Sequence, residues 1–205
     1  MLVYPSIAHA TGQSFRAFDA YVFDKIDGSN LRAEWSRKRG WYKFGTRERL
    51  VDATDKDFGE APALFAATLS YRLDKIARKA RWNHLVVFVE FCGKESFAGQ
   101  HVPGDPKTLT VFDAIPEKGD LLGPREFLDR FEGVQIPGFL GRYNWTRGFV
   151  ERVRLGEIGP ITFEGVVGKA MIDRELVMAK AKTQKWIDKV REKYAPAEAE
   201  KIILG

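Results

Sequence analysis

Cysteine occurs once in the 205 residues, at Cys92, and histidine three times, at His9, His84 and His101. A single cysteine closes no internal disulfide, and one cysteine with three scattered histidines has no zinc-site spacing, so a stapled scaffold and a structural zinc module are excluded. Cys92 reads as a small apolar residue packed beside a strand, and the histidines as surface or structural groups. No window approaches 18 uncharged apolar residues, and residues 1–13 lack the basic flank and apolar stretch of a secretory signal. The expectation is a soluble, intracellular, cytoplasmic protein with no membrane partner. A Gly-x-x-x-x-Gly-Lys-Ser/Thr phosphate loop is also missing, since Gly93-Lys94 and Gly168-Lys169 lack both the upstream glycine and the following hydroxyl. No repeat, low-complexity tract or Gly/Ser linker divides the chain.

What is present suits one buried core. Fifteen Phe and five Trp in a chain of this length supply ample apolar surface, and residues 1–205 are read as one α+β domain. The net charge of +5 favours anionic partners without requiring them. Strands are expected on both sides of a turn at Asp27-Gly28-Ser29, from Ala20 to Trp35, and again at Trp41–Gly45, Leu85–Phe91, Leu109–Ile115, Ile161–Ala170 and Glu175–Ala181. Leu64, Phe65, Leu69, Leu73 and Ile76 recur near helical period and predict one amphipathic helix over Ala61–Ala80. Further helices are expected at Pro124–Phe131, Phe149–Leu155 and Thr183–Tyr194, the last capped by Thr183.

An amine attacks a nucleoside triphosphate only if it is partly deprotonated, held near the α-phosphate and surrounded by cations that absorb developing charge. Lys25-Ile26-Asp27-Gly28 supplies an amine beside a tight turn, a weak signal alone. It opens an ordered series: Lys25-Ile26-Asp27-Gly28-Ser29-Asn30, Gly45-Thr46-Arg47, Phe88-Val89-Glu90-Phe91-Cys92-Gly93, Val111-Phe112-Asp113, Glu164-Gly165-Val166-Val167 and Lys180-Ala181-Lys182. Glu90 and Glu164 stand in strand-like apolar runs, where an unpaired carboxylate is costly, so each should meet a Mg²⁺, a ribose hydroxyl or a lysine. Lys180 and Lys182, two apart on a strand, point to one face.

This series resembles the motifs of the covalent nucleotidyltransferases, the superfamily of ATP-dependent ligases and mRNA capping enzymes, from Tyr21 to about Trp186. Asn30, five residues after the lysine, is similar to the RNA ligase 2 family, whereas DNA ligases and capping enzymes usually place Arg there. The resemblance implies an α+β nucleotidyltransferase (ATP-grasp-like ligase) fold of antiparallel-rich sheets with flanking helices. It implies an ATP-dependent RNA ligase, with ATP and Mg²⁺ or Mn²⁺ as cofactors and a lysyl-AMP intermediate. The partners would be RNA 5′-phosphate and 3′-OH ends, held in a nicked duplex or otherwise, as in RNA repair. Only 23 residues follow Lys182, too few for an OB domain of roughly 100 residues. A minimal catalytic domain without an OB domain is expected, leaving a separate partner to supply a C-terminal domain.

By the same resemblance Lys25 is the catalytic nucleophile, its pKa lowered by desolvation and by Lys180 and Lys182, which hold the α-phosphate. The ATP or AMP site comprises Lys25, Ile26, Asn30, Arg47, Glu90, Phe112, Glu164, Lys180 and Lys182. Glu90 is expected near the ribose and Glu164 near the metal and Lys25, with both carboxylates as metal ligands. Phe112 either stacks on adenine or packs in the core. Arg47 reaches the transferring phosphate or the RNA 5′-phosphate, and Asn30 the reacting strand or the adenylate phosphate. The basic face of Thr183–Tyr194 either lines a phosphate backbone or is simply solvated. The rival readings are a minimal DNA ligase, a capping guanylyltransferase and a non-catalytic nucleic-acid-binding module with the same fold.

Overall fold

The computed structural model describes residues 3–9, 17–92, 106–117 and 119–204. Gly93, Lys94, His101 and the side chain of His9 lie outside the described residues. In chain order the strands are β1 (Ala8–His9), β2 (Phe18–Lys25), β3 (Ser29–Ser36), β4 (Gly40–Gly45), β5 (Leu50–Val51), β6 (His84–Cys92), β7 (Thr108–Pro116), β8 (Phe139–Trp145), β9 (Gly165–Ile172) and β10 (Glu175–Lys182). The helices are α1 (Ala61–Thr68), α2 (Ser70–Lys79), α3 (Pro124–Arg130), α4 (Arg147–Arg154), α5 (Gln184–Lys193) and α6 (Pro196–Leu204). They form two compact units, and the chain passes from one to the other at Asp27–Gly28.

One unit contains Tyr4 and the described parts of 28–136. Its antiparallel sheet has the order β5-β4-β3-β6-β7. Period-two alternation puts Leu31, Ala33 and Trp35 on the face that packs with Val87, Val89 and Val111 against Phe65, Leu73 and Phe127 of the helices. Asn30, Arg32 and Glu34 take the other face, opposite Glu90, Phe88 and Val86. A bulge where the register shifts between Phe88 and Val89 leaves Phe112 as the extra residue of β7. The single helix predicted over Ala61–Ala80 is two helices that meet at Leu69. The hydroxyls of Thr68 and Ser70 donate to the carbonyls of Leu64 and Ala66 (2.7 Å each), and this back-bonding competes with the ladder and bends it.

The other unit contains the described parts of 5–27 and 137–204. Its sheet has the order β1-β10-β9-β2-β8, with β1 parallel to β10 and every other pair antiparallel. Ala20, Val22, Trp145 and Val166 face α4, where Phe149 and Val153 complete the core. Asp173 and Arg174, both with positive φ, close the β9–β10 hairpin as the primed turn that such hairpins favour. Helices α5 and α6 share a small core of Trp186, Val190, Ala199 and Ile203. Thr183 caps α5 as predicted, its hydroxyl accepting the Trp186 N–H.

One further sequence expectation needs correction. The strand expected at Ile161–Ala170 begins only at Gly165, so Glu164 stands just before a strand. The Thr162 N–H goes to Asp24 Oδ1 (3.0 Å) and the Phe163 carbonyl to the Thr183 hydroxyl (2.7 Å), which takes these groups out of a ladder. Strands do flank Asp27-Gly28-Ser29, but β2 and β3 enter different sheets. No helix among the described residues is long and apolar enough to cross a membrane.

Candidate active site

Lys182, Gly165 and Lys25 form one row across β10, β9 and β2, since Gly165 is the register partner of both lysines. Partners in a ladder share a face, so the two ammonium groups rise on the same side with a glycine between them. Only glycine fits there. A Cβ on Gly165 would lie 2.0 Å from the Ala181 carbonyl oxygen, and its φ of +152° is one that L side chains rarely adopt. Glu164, one residue earlier, meets both cations: Oε2 is 2.7 Å from Lys25 Nζ and Oε1 is 3.4 Å from Lys182 Nζ. In the next row Lys180 follows on the same face, opposite Val167 and, beyond it, Phe23.

These charges are largely withdrawn from water. The Glu164 and Lys182 side chains are each 5% exposed and Lys25 23%. Burial lowers the Lys182 pKa, Glu164 opposes that shift, and the nearby Lys25 charge adds to it. Asp27 moves the other way. Burial first and the Glu164 charge second raise its carboxyl to about 6, against the opposing hydrogen bond donated by Trp186 Nε1 at 3.2 Å. Ile26 lies half-buried between Lys25 and Asp27. An amine hydrogen-bonded to a buried carboxylate, with a second cation in the same row, suits nucleophilic attack on a phosphorus whose oxygens gain charge.

In the other unit Asn30, Glu90 and Thr110 form a row across β3, β6 and β7. Glu90 Oε1 accepts the Gly28 N–H at 3.1 Å. A Cβ on Gly28 would meet the Phe91 carbonyl at 2.6 Å, so the Asp-Gly turn needs its glycine for close approach. Phe112 is half-buried, edge-on to Tyr4 at 5.0 Å, and the Tyr4 hydroxyl donates to Asp113. Burial, together with Asp113, raises the Tyr4 pKa. Arg47 is exposed on the turn after β4, where the Thr46 hydroxyl accepts the N–H groups of Glu48 and Arg49. Cys92 is buried, as expected of a packing residue, and His84 is exposed.

The RNA ligase family profile matches residues 7–187, most of the chain and every candidate site residue from Lys25 to Lys182. The chain belongs to the RNA ligase family. No curated protein matches it. Among solved structures it is similar to a chain provisionally named as an ATP-dependent DNA ligase of Aquifex aeolicus, with TM-score 0.67 and 21% identity over 100% of this chain and 58% of that one. It is also similar to an archaeal ATP-dependent RNA ligase (TM-score 0.66, 18% identity, 98% and 56% of the two chains). A Naegleria gruberi RNA ligase solved with ATP and Mn is a third (TM-score 0.62, 15% identity, 83% and 51%). The chain thus spans little more than half the length of each. The α+β fold expected from the motif order is borne out by these likenesses.

For this RNA ligase family member the structure brings Lys25, Glu164 and Lys182 into contact range in one unit, and Asn30 and Glu90 into one row in the other. Two residues of the lysine cluster were not assigned from sequence. In the sequence Asp27 reads only as part of the turn, and Trp186 only as the end of the matching region. A signal for Trp186 did exist. It is the third residue of a helix capped by Thr183, directly after Lys182, and helix side chains lean back toward the N-terminus.

Proposed function

We propose that this chain performs the adenylyl transfer of an ATP-dependent RNA ligase, through a covalent lysyl-AMP. The observation that carries this reading is the Lys25–Glu164–Lys182 cluster, an amine held by a buried carboxylate beside a second cation. Lys25 attacks as the neutral amine, and Glu164, 2.7 Å away, is the acceptor placed to hold its proton. A bond forms between Nζ and the α-phosphorus, the bond from that phosphorus to the bridging oxygen breaks, and pyrophosphate leaves. Lys182 and Lys180 oppose the charge that gathers on the α-phosphate oxygens. A 5′-phosphate oxygen of RNA then attacks the adenylyl phosphorus and releases Lys25. Finally the 3′-hydroxyl attacks the 5′-phosphorus and AMP departs.

Phe112 supplies an aromatic face for adenine and Glu90 a carboxylate for the ribose, while Asn30 and Arg47 act on phosphates of the adenylate or the RNA end. Mg²⁺ is held by one or two carboxylates plus substrate phosphates rather than by a complete protein cage. Glu164, with hard oxygen donors beside the two lysines, fits that mode. No group of three or more His, Cys, Asp or Glu among the described residues holds an ion alone. When bound, the cation neutralises the triphosphate and eases loss of pyrophosphate.

The test is intact mass after incubation with ATP and Mg²⁺, followed by sealing of nicked RNA and nicked DNA. One AMP should be gained by the wild type and none by Lys25→Ala, with RNA sealed in preference. An AMP gain that survives Lys25→Ala removes the nucleophile assignment, and efficient sealing of all-DNA nicks would transfer the chain to DNA ligation.

A further inference from the structure

Trp186 is 2% exposed and has apolar neighbours in Val190, Ala199 and Ile203, yet both distinctive parts of its indole are turned to charge. Its Nε1–H donates to Asp27 Oδ2 at 3.2 Å. Its ring face lies 4.1 Å from Lys182 Nζ, within the range of a cation–π contact. Its backbone is fixed as well, since the Trp186 N–H is the one that the Thr183 cap accepts, at 3.2 Å. One side chain therefore touches the acid two residues after the nucleophile and the lysine that shares the nucleophile's row. A packing role alone would be met by any large apolar residue, with no need for an N–H or an electron-rich face.

We propose that Trp186 is a positioning residue for lysine adenylylation, fixing the Lys182 ammonium through its ring and the Lys25–Asp27 turn through its indole N–H. The inference rests on the adenylyl-transfer reading above. An ammonium group on a four-carbon stem has many rotamers and aims at a phosphate only if its surroundings exclude the others. Glu164 at 3.4 Å, the Ile202 carbonyl at 3.1 Å and the indole face together define one place for Lys182 Nζ. On the other side the bond to Asp27 pins the segment that leaves β2 after Lys25, and so the approach of the nucleophile. Both effects belong to the orientation of the attack, not to ATP affinity, so they should appear in the rate of the bound complex.

The experiment measures single-turnover lysyl-AMP formation against ATP concentration for the wild type, Trp186→Phe, Trp186→Leu, Lys182→Ala and Asp27→Ala, and for each Trp186 variant combined with each of the last two. Phe keeps an aromatic face and removes the N–H, whereas Leu removes both. The Phe variant should be slower by about fivefold and the Leu variant by about 25-fold or more, with the half-saturating ATP concentration within about twofold of wild type. In the Lys182→Ala background the extra loss from Leu over Phe should fall below about twofold, and in the Asp27→Ala background the loss from Phe should do the same. Wild-type rates in both Trp186 variants, or losses that multiply undiminished in those backgrounds, overturn the proposal. If Trp186→Leu shows no cooperative melting transition, the Phe variant and its Asp27→Ala combination decide the matter. The adenylyl-transfer reading fails separately, when the wild type gains no AMP or Lys25→Ala still does.

Discussion

Lys25 and Glu164 are 139 residues apart in sequence and 2.7 Å apart in the fold. Glu164 reaches the nucleophile because the next residue, Gly165, is the ladder partner of Lys25 on one side and of Lys182 on the other. The carboxylate is thereby shared between two ammonium groups. One is the proposed nucleophile, and the other lies on the proposed phosphate clamp.

That sharing makes Glu164 a structural as well as a chemical residue. Glu164→Ala leaves Lys182 buried without its counter-ion, and should lower unfolding free energy by about 3–5 kcal/mol in urea denaturation. Adding Lys182→Ala should recover part of that loss. A Glu164→Ala protein as stable as wild type would show that the ion pair has no hold on the fold.

The lysine pair should govern the first chemical step. Lys182→Ala and Lys180→Ala should each slow lysyl-AMP formation, by about 2.7–4 kcal/mol of activation free energy if each acts like one oxyanion donor. Quench-flow with labelled ATP measures this directly. Unchanged rates in both variants would reduce the pair to a structural feature of β10.

Asp27 should leave a pH signature on stability. Its carboxyl is raised from 3.8 to about 6, so the fold binds a proton there that the unfolded chain has already released. Stability from this group is therefore highest below pH 3.8 and falls as pH rises, with the full cost, up to about 3 kcal/mol, present above pH 6. Asp27→Asn should gain on wild type by up to that amount in urea denaturation at pH 8 and by little at pH 4. A gain that grows toward acid pH would contradict the assignment.

Gly165→Ala should disturb both fold and chemistry. A Cβ placed 2.0 Å from the Ala181 carbonyl must push β9 and β10 apart, at a cost of about 3 kcal/mol, and in doing so separates Lys182 from Lys25. A calorimetric melt and the AMP mass gain report the two effects. Wild-type behaviour in both would mean that the close approach relaxes without cost.

Asn30→Ala and Arg47→Ala should separate the two halves of the reaction. Arg47 is exposed on a turn, so its loss should weaken sealing of a pre-adenylated nick more than lysyl-AMP formation. Asn30 shares its row with Glu90. Equal loss of both activities in Asn30→Ala would place it at the ATP end.

The sequence alone determined the strand cores and the order of polar residues they present. The β-branched runs of β6 and β7, the Thr183 cap, the Asp-Gly turn and the order from Lys25 to Lys182 are local patterns, and local sterics and burial read them out directly. The structure alone decided that β2 and β3 part into different sheets, that helical pattern breaks at Leu69, and that Glu164 precedes its strand. It also decided that Trp186 turns its N–H to Asp27 and its ring to Lys182. A period of two tells which face a residue takes but not which strand lies beside it. That choice depends on close approaches such as Gly165 against Ala181 and on hydroxyls that bond back along a helix, interactions set by long-range register and by the competition of side chains with the backbone ladder.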